Sequence, residues 1–360
     1  MKTAEKLRVC LTPQVHGVGG MVSFAARLSA GLAARGIQVT HDLRQVYQEQ
    51  HSDQRQAVLV IGGTRDLAGL WRAGRRSIAI VQRLNGMNWV HRRRRTGLKH
   101  YLRAEYGNLI LSLIRARLAT RIVYQSQFTQ QWWERVYGPT RSPWQIIYNA
   151  VDLEVYKPQG EQRAIKDEKC RILMVEGNLG GGYEMGLTAG IQLAERLAGG
   201  YPEATPAGVE LMVVGKVAEA LRQEWDRKLA GAAGRVTLHW AGQVAREQIP
   251  ALAGAAHLFY AADLHPACPN AVIEALACGL PVIASDTGAL AEIVSPGAGR
   301  VVPYGADSWK IEPPDTSALA RAAAEALADL PRFRAGARAR AEEAFGLDRM
   351  VEAYLAALFG

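Results

Sequence analysis

Much of what marks common protein classes is missing from this sequence. It has four cysteines in 360 residues, Cys10, Cys170, Cys268 and Cys278, and none forms a C-x-x-C pair. That argues against a zinc knot, a dithiol redox motif or a secreted disulfide scaffold, and favours a reducing compartment, the cytoplasm. No D-x-D occurs, so no carboxylate-bound metal is expected; H-E-x-x-H, G-x-S-x-G and P-loop sequences are absent too. Gly17 and Gly19 begin a G-x-G-x-x-G pattern that Val22 breaks, which weakens a nicotinamide-dependent oxidoreductase. No cofactor is expected. The longest apolar stretch of note, Leu109 to Ile114, is far short of a membrane span. Val9 to Leu11, behind the basic N-terminus, is too short for a signal peptide.

What remains is ordinary globular material, 49% hydrophobic and 21% charged, long enough for two domains. Its net charge of +9 is unevenly placed. Residues 1–165 hold 25 Lys and Arg against 10 Asp and Glu, and residues 166–360 hold 18 against 24. Between residues 83 and 121 stand Arg83, Arg92, Arg93, Arg94, Arg95, Lys99, Arg103, Arg115, Arg117 and Arg121, with Glu105 as the sole acid. Such a patch favours a phosphate-bearing partner, an anionic membrane or nucleic acid. No nucleic-acid motif accompanies it, and nucleic acid ranks last. Arg83 and Arg92 to Arg95, with Trp89, Trp132 and Trp133 near, are candidates to hold an anionic acceptor or a membrane surface; the ordinary alternative is a solvated helix face. The apolar residues that follow, Leu109, Ile110, Leu113 and Ile114, suffice for core packing.

Strand and helix signals alternate along the first half. Strands are expected at Leu7–Leu11, Val58–Ile61, Ser77–Val81, Arg121–Tyr124 and Gln145–Tyr148, with helices at Val22–Arg35 and from Leu98 to about Thr120. The polar stretch Tyr156–Lys169 reads as a linker. The alternation then restarts, with strands at Arg171–Val175, Glu210–Val214, Val236–Trp240, Leu258–Ala261 and Pro281–Ser285. Helices are expected at Leu187–Leu197, Ala271–Ala277, Ala318–Leu330 and Arg349–Leu358. This spells α/β architecture with two doubly wound domains, whose ligands bind at the carboxyl ends of the strands.

The chemistry concentrates in Asp263–Val294. A helix opening at Asn270 and Ala271 offers N–H groups to a phosphate. Glu274, on an otherwise apolar helix, either hydrogen-bonds a ligand or sits at an exposed edge. The run at Gly177, Asn178, Gly181 and Gly182 can form an anion-binding concavity, and Lys216 stands just past another strand. A solvated loop lysine is the ordinary alternative.

These segments resemble the group 1 family of retaining nucleotide-sugar glycosyltransferases of GT-B fold. Glu274 and the strand GLPVIAS match the donor motif, and IYNAVDLEVYKP (Ile147–Pro158) matches the exit from the first domain. Gly17, Gly19 and Gly20 match its first glycine loop, and Phe345–Leu358 resembles the last helix, which crosses back to the first domain. The resemblance implies Rossmann-like domains at 1–160 and 161–344 facing a central cleft, with 345–360 the crossing helix. It implies transfer from a UDP- or GDP-sugar with retention and without metal, to a glycan, lipid-linked or small-molecule acceptor. It implies that Glu274 binds the ribose and that Gln243 and Val244 flank the base.

There are departures. Pro266 stands at the family's first glutamate, leaving His265 or Asp263 to meet the sugar. Pro269 replaces a glycine, and Asn178 lies where a cation is usual, which makes Lys216 the candidate cation. Asn85, after the strand Ser77–Val81, takes the place of a histidine and serves as a hydroxyl ligand or an ordinary Asn-Gly turn. The alternatives are a catalytically impaired binding subunit and a GT-B-like epimerase. The expected location is the cytoplasm, or the inner membrane face as a peripheral protein.

Overall fold

The computed structural model describes residues 6–17, 19–48, 54–159, 169–179, 184–230 and 234–360. Its first stretch contains β1 (Lys6–Thr12), α1 (Gly20–Ala33), β2 (Gln38–Thr40), α2 (Leu43–Gln48), β3 (Gln54–Ile61), α3 (Leu67–Arg75) and β4 (Ala79–Leu84). There follow α4 (Leu98–Arg117), β5 (Arg121–Tyr124), α5 (Gln127–Tyr137) and β6 (Trp144–Ile146). The second series is β7 (Cys170–Asn178), α6 (Glu184–Gly200), β8 (Val209–Lys216), α7 (Glu219–Ala230), β9 (Val236–Gly242), α8 (Ile249–Gly254) and β10 (Leu258–Ala261). It continues with α9 (Asn270–Ala277), β11 (Val282–Ser285), α10 (Leu290–Ile293), β12 (Gly299–Val302), α11 (Thr316–Ala328), α12 (Leu330–Ala344) and α13 (Leu347–Phe359). The chain divides into two compact units, Met1–Ala150 with Gly346–Gly360, and Val151–Phe345. Of the polar stretch expected as a linker, residues 160–168 lie outside the described residues.

The first unit is a parallel sheet of order β2-β1-β3-β4-β5-β6. The alternation of each strand sends Val9, Leu11, Leu59, Ile61, Val81 and Val123 to one face, where they bury Phe24 and Leu28 of α1 with Val351 and Tyr354 of α13. Arg121 closes α13 by donating to the carbonyls of Ala356, Ala357 and Gly360, the charge favoured at a helix C-terminus. Right-handed crossovers place α2, α3, α4 and α5 on the opposite face. There Gln82 donates to the Leu111 carbonyl of α4.

The second unit is a parallel sheet of order β12-β11-β10-β7-β8-β9. Read from β9, this is the doubly wound order 3-2-1-4-5-6, with its switch point between β7 and β10. The core joins Ile172, Met174, Leu211 and Val213 of the strands to Leu187 and Ile191 of α6 and Leu319 and Ala323 of α11. All four cysteines are buried thiols outside any disulfide. Burial pushes the thiols of Cys10, Cys170 and Cys278 up to about 12, so they stay protonated.

Several strands run past their expected ends. β4 continues to Leu84, so Arg83 and Leu84 are strand residues and Asn85 begins the loop. β7 continues to Asn178 and β8 to Lys216, which face one another in register. Gly177, Asn178 and Lys216 are therefore at strand ends and not in free loops. The cause is a bulge between Val175 and Asn178, which lets pairing resume beyond the glycines. α7, α8, α12, β2 and β12 are among the elements additional to the expected ones.

Candidate functional site

The second unit gathers most of the candidates at the carboxyl edge of its sheet. Asn178 and Lys216 pair at the ends of β7 and β8, and the Leu179 N–H donates to the Lys216 carbonyl at 2.8 Å. Lys216 is exposed, so the turn fixes its backbone while its ammonium meets solvent. A cavity of about 210 Å³ opens beside it, lined also by Gly215, Arg222, Trp240 and Gln243. Gln243 and Lys216 thus share one hollow, and Val244 follows Gln243 in the loop after β9. Gly181 and Gly182 lie outside the described residues.

Across the switch point, α9 starts at Asn270 behind Pro269, which gives no side-chain cap. Uncapped N–H groups at a helix start are a place for an anion. Glu274 is buried on this helix, which removes the exposed-edge alternative. The loop ahead of α9 is tightly seated: the Ala289 N–H donates to the Pro266 carbonyl at 2.9 Å, and Gly288, at φ 59°, leaves no room for a Cβ beside Pro266. His265 has one ring face covered. It is buried and stacks on Trp309, ring centroids 3.7 Å apart, and burial lowers its pKa to about 4. The imidazole is therefore neutral at pH 7. Trp309 carried no signal in the sequence, because the stack joins segments far apart in the chain.

Two acids at the switch point form the strongest electrostatic feature. The Glu176 carboxyl is held well above the usual range by burial and by the Asp263 charge. Asp263 is itself pushed up to about 6 by desolvation among the crowded strand ends, although water reaches its outer side. A raised pKa means that the folded state keeps its proton while the unfolded chain loses it. The associated stability is complete below about pH 4 and is lost as pH rises through about 6. Solvent access to Asp263 screens this contribution to about 1 kcal/mol. Asp263→Asn should match the parent at pH 4.5 and exceed its melting temperature at pH 8. A difference that does not change with pH would contradict this coupling.

The first unit offers a separate set. Gly19 caps α1 with φ 134°, and a Cβ at Gly17 or Gly19 would meet nothing within 4 Å, so the loop before Gly20 borders open space. Asn85 lies beyond β4 with its side-chain oxygen already engaged, accepting from Arg83 Nη1 at 2.8 Å and Gln125 Nε2 at 2.6 Å. Only its amide N–H₂ is left for a ligand. Its carbonyl accepts from Trp133 Nε1 at 2.8 Å.

The basic patch divides. Arg83 is not a surface residue: it is 1% exposed, lies over the Phe24 ring at 3.8 Å and donates to Asn149 at 2.8 Å. It cannot hold an acceptor or a membrane, because β4 directs it inward. Arg92 makes a two-pronged pair with Glu105 at 2.5 and 2.7 Å, and with His91 holds that acid down to about 2. Arg115 is buried on Tyr124 and the Gly138 carbonyl. Arg93 and Arg95 are exposed and Arg94 half-buried.

Residues 178–329 match the family Glycosyl transferases group 1. No curated protein matches the chain. Solved structures share the fold over almost the whole length. Sucrose-phosphate synthase from Thermosynechococcus elongatus superposes with a TM-score of 0.68 at 17% identity, covering 97% of both chains. Anabaena HepE, solved with UDP-glucose, gives 0.65 at 18% identity over 98% of this chain and 100% of its own. WaaG, a glycosyltransferase involved in lipopolysaccharide biosynthesis, gives 0.63 at 16% identity, again over 98% and 100%. The matched segment runs from the end of β7 through α11, the stretch that builds the switch-point site. Residues 178–329 are thus similar to the group 1 glycosyltransferases, and the chain as a whole has the GT-B fold.

Proposed function

We propose that this glycosyltransferase moves a sugar from a UDP- or GDP-sugar, bound at the β7/β10 switch point, to a glycan, lipid-linked or small-molecule acceptor. The observation that carries it is the arrangement of Lys216, the uncapped start of α9 and buried Glu274 around the carboxyl edge of a sheet in doubly wound order. Lys216 and the N–H groups of Asn270 and Ala271 would meet the charge that grows on the departing diphosphate. Glu274 would fix the ribose and Gln243 the base side. No side chain here is placed as a dedicated nucleophile. Transfer with retention, by positioning donor and acceptor on one face and without a divalent metal, is the mechanism consistent with this set. The raised pKa values of Glu176 and Asp263 favour the neutral form of the acids nearest an anionic donor. The protein would work in the cytoplasm, held to an anionic membrane face through Arg93 to Arg95.

Thermal shift with UDP, GDP and ADP tests the donor site. A ligand at a hundredfold its Kd stabilises by about 2.7 kcal/mol. One diphosphate should raise the melting temperature, and Glu274→Ala and Lys216→Ala should each weaken it by about tenfold or more, as the loss of a charge-assisted contact does. No shift with any of the three would favour a catalytically impaired binding subunit. Pro266 and Pro269, where the family's acid and glycine stand, are the observation behind that second possibility.

A further inference from the structure

Helix α4 is built the wrong way round for a helix on a soluble surface. Two of its polar residues face the protein: Asn108 exchanges hydrogen bonds with the Asn88 backbone, and Arg115 donates to Tyr124 and Gly138. Ile114 is buried with them, but five other large apolar residues face out. Leu98 is 74% exposed, Leu102 59% and Leu109 60%, with Tyr106 and Leu113 also exposed. At 100° per residue these five fall within about 80° of arc, and they span about 22 Å of helix. The buried Ala104, Asn108, Ile114 and Arg115 centre about 160° away. Leu109 and Leu113 are thus not the core residues that the sequence suggested.

The rim of the stripe is basic. Lys99, Arg103 and Arg117 line one edge, and Arg93 and Arg95 stand just ahead of the helix, all exposed. Glu105, the only acid in residues 83–121, is tied to Arg92 and His91. On the same face of the sheet, α3 carries Trp71, which with Arg72, Arg75 and Arg76 borders an open hollow. Among the described residues no helix is long and apolar enough to cross a membrane. Exposed leucines with aromatic and cationic borders are the composition of a helix lying in the plane of a bilayer surface.

We propose that α4 lies in the interface of an anionic bilayer, with Leu98, Leu102, Tyr106, Leu109 and Leu113 among the acyl chains and the basic rim on lipid phosphates. This deepens the peripheral attachment proposed above, from surface charge to insertion of a named stripe. It is independent of the donor site, since binding is read without nucleotide.

The test is co-sedimentation of the full chain with phosphatidylcholine vesicles, with and without phosphatidylglycerol. Binding should require the anionic lipid. The double variant Leu102→Ser, Leu109→Ser should bind at least tenfold more weakly with an unchanged melting temperature, because both side chains are already exposed. Lys99→Gln with Arg103→Gln should weaken binding and its salt dependence. Anionic binding that the serine variant retains would overturn insertion while leaving attachment by charge. No anionic binding at all would overturn both. A parent chain that is dimeric in solution, and monomeric in the serine variant, would overturn the bilayer in favour of a second copy on this face.

Discussion

Gly215→Ala should destabilise the second unit by about 4 kcal/mol, the largest effect of any single methyl group considered. Gly215 has φ 141°, a conformation that side-chain-bearing residues rarely adopt. A Cβ there would stand inside the contact radius of the Glu176 carbonyl oxygen, a backbone atom that cannot turn aside. Strain and overlap each cost on the order of 1–3 kcal/mol. For a unit of this size the sum lowers the melting temperature by about 10 °C. Gly177→Ala is the control on the facing strand. Its φ is unexceptional and a Cβ would meet nothing within 4 Å, so the change should be within about 0.5 kcal/mol. Urea titration of both variants decides the matter; equal midpoints would contradict the account. Gly215 thus acts through structure, holding Glu176 and Lys216 at their places.

That comparison bears on how far the sequence was informative. Alternating strand and helix signals located the sheet cores, because β-branched runs such as Val58–Ile61 can be buried only one way. The start of α9 at Asn270 was legible for the same reason, a clear periodicity with a clear stop, whereas the return of α13 to the first unit was implied only by the family resemblance. Strand ends were not. Gly177 and Gly215 have the look of loop punctuation, yet the neighbouring strand supplies hydrogen bonds past them. α12 was hidden by its polar run from Arg332 to Glu343, which reads as a solvated stretch until Phe333, Ala337 and Ala341 are seen buried in line. The coupling of Glu176 to Asp263 needs the pairing of β7 with β10, which no local pattern displays. Charge counts misled in the first unit for a related reason. They register Arg83, Arg115 and Arg121 as surface cations, whereas the fold uses all three inside or against helix ends.

Arg83 gives the second large effect. Truncation to alanine should cost about 4 kcal/mol and should leave diphosphate binding by the second unit unchanged. The guanidinium joins β4 to the loop at Asn149 and covers the Phe24 ring, so alanine removes two charge-assisted bonds and opens a cavity together. Bonds of that kind contribute about 1.5–3 kcal/mol each, and a cavity adds to the loss. Against this, a buried cation carries a desolvation cost that its removal returns. Arg83→Met separates these contributions. It refills most of the volume, discards the charge, and should recover about half of the lost stability. A methionine variant as unstable as alanine would place the whole effect in the hydrogen bonds to Asn85 and Asn149. One as stable as the parent would show that packing over Phe24 is what the position requires. An acceptor-binding role for Arg83 predicts the opposite pattern, with unaltered melting and lost transfer. Chemical denaturation of the two variants beside a transfer assay distinguishes the two roles.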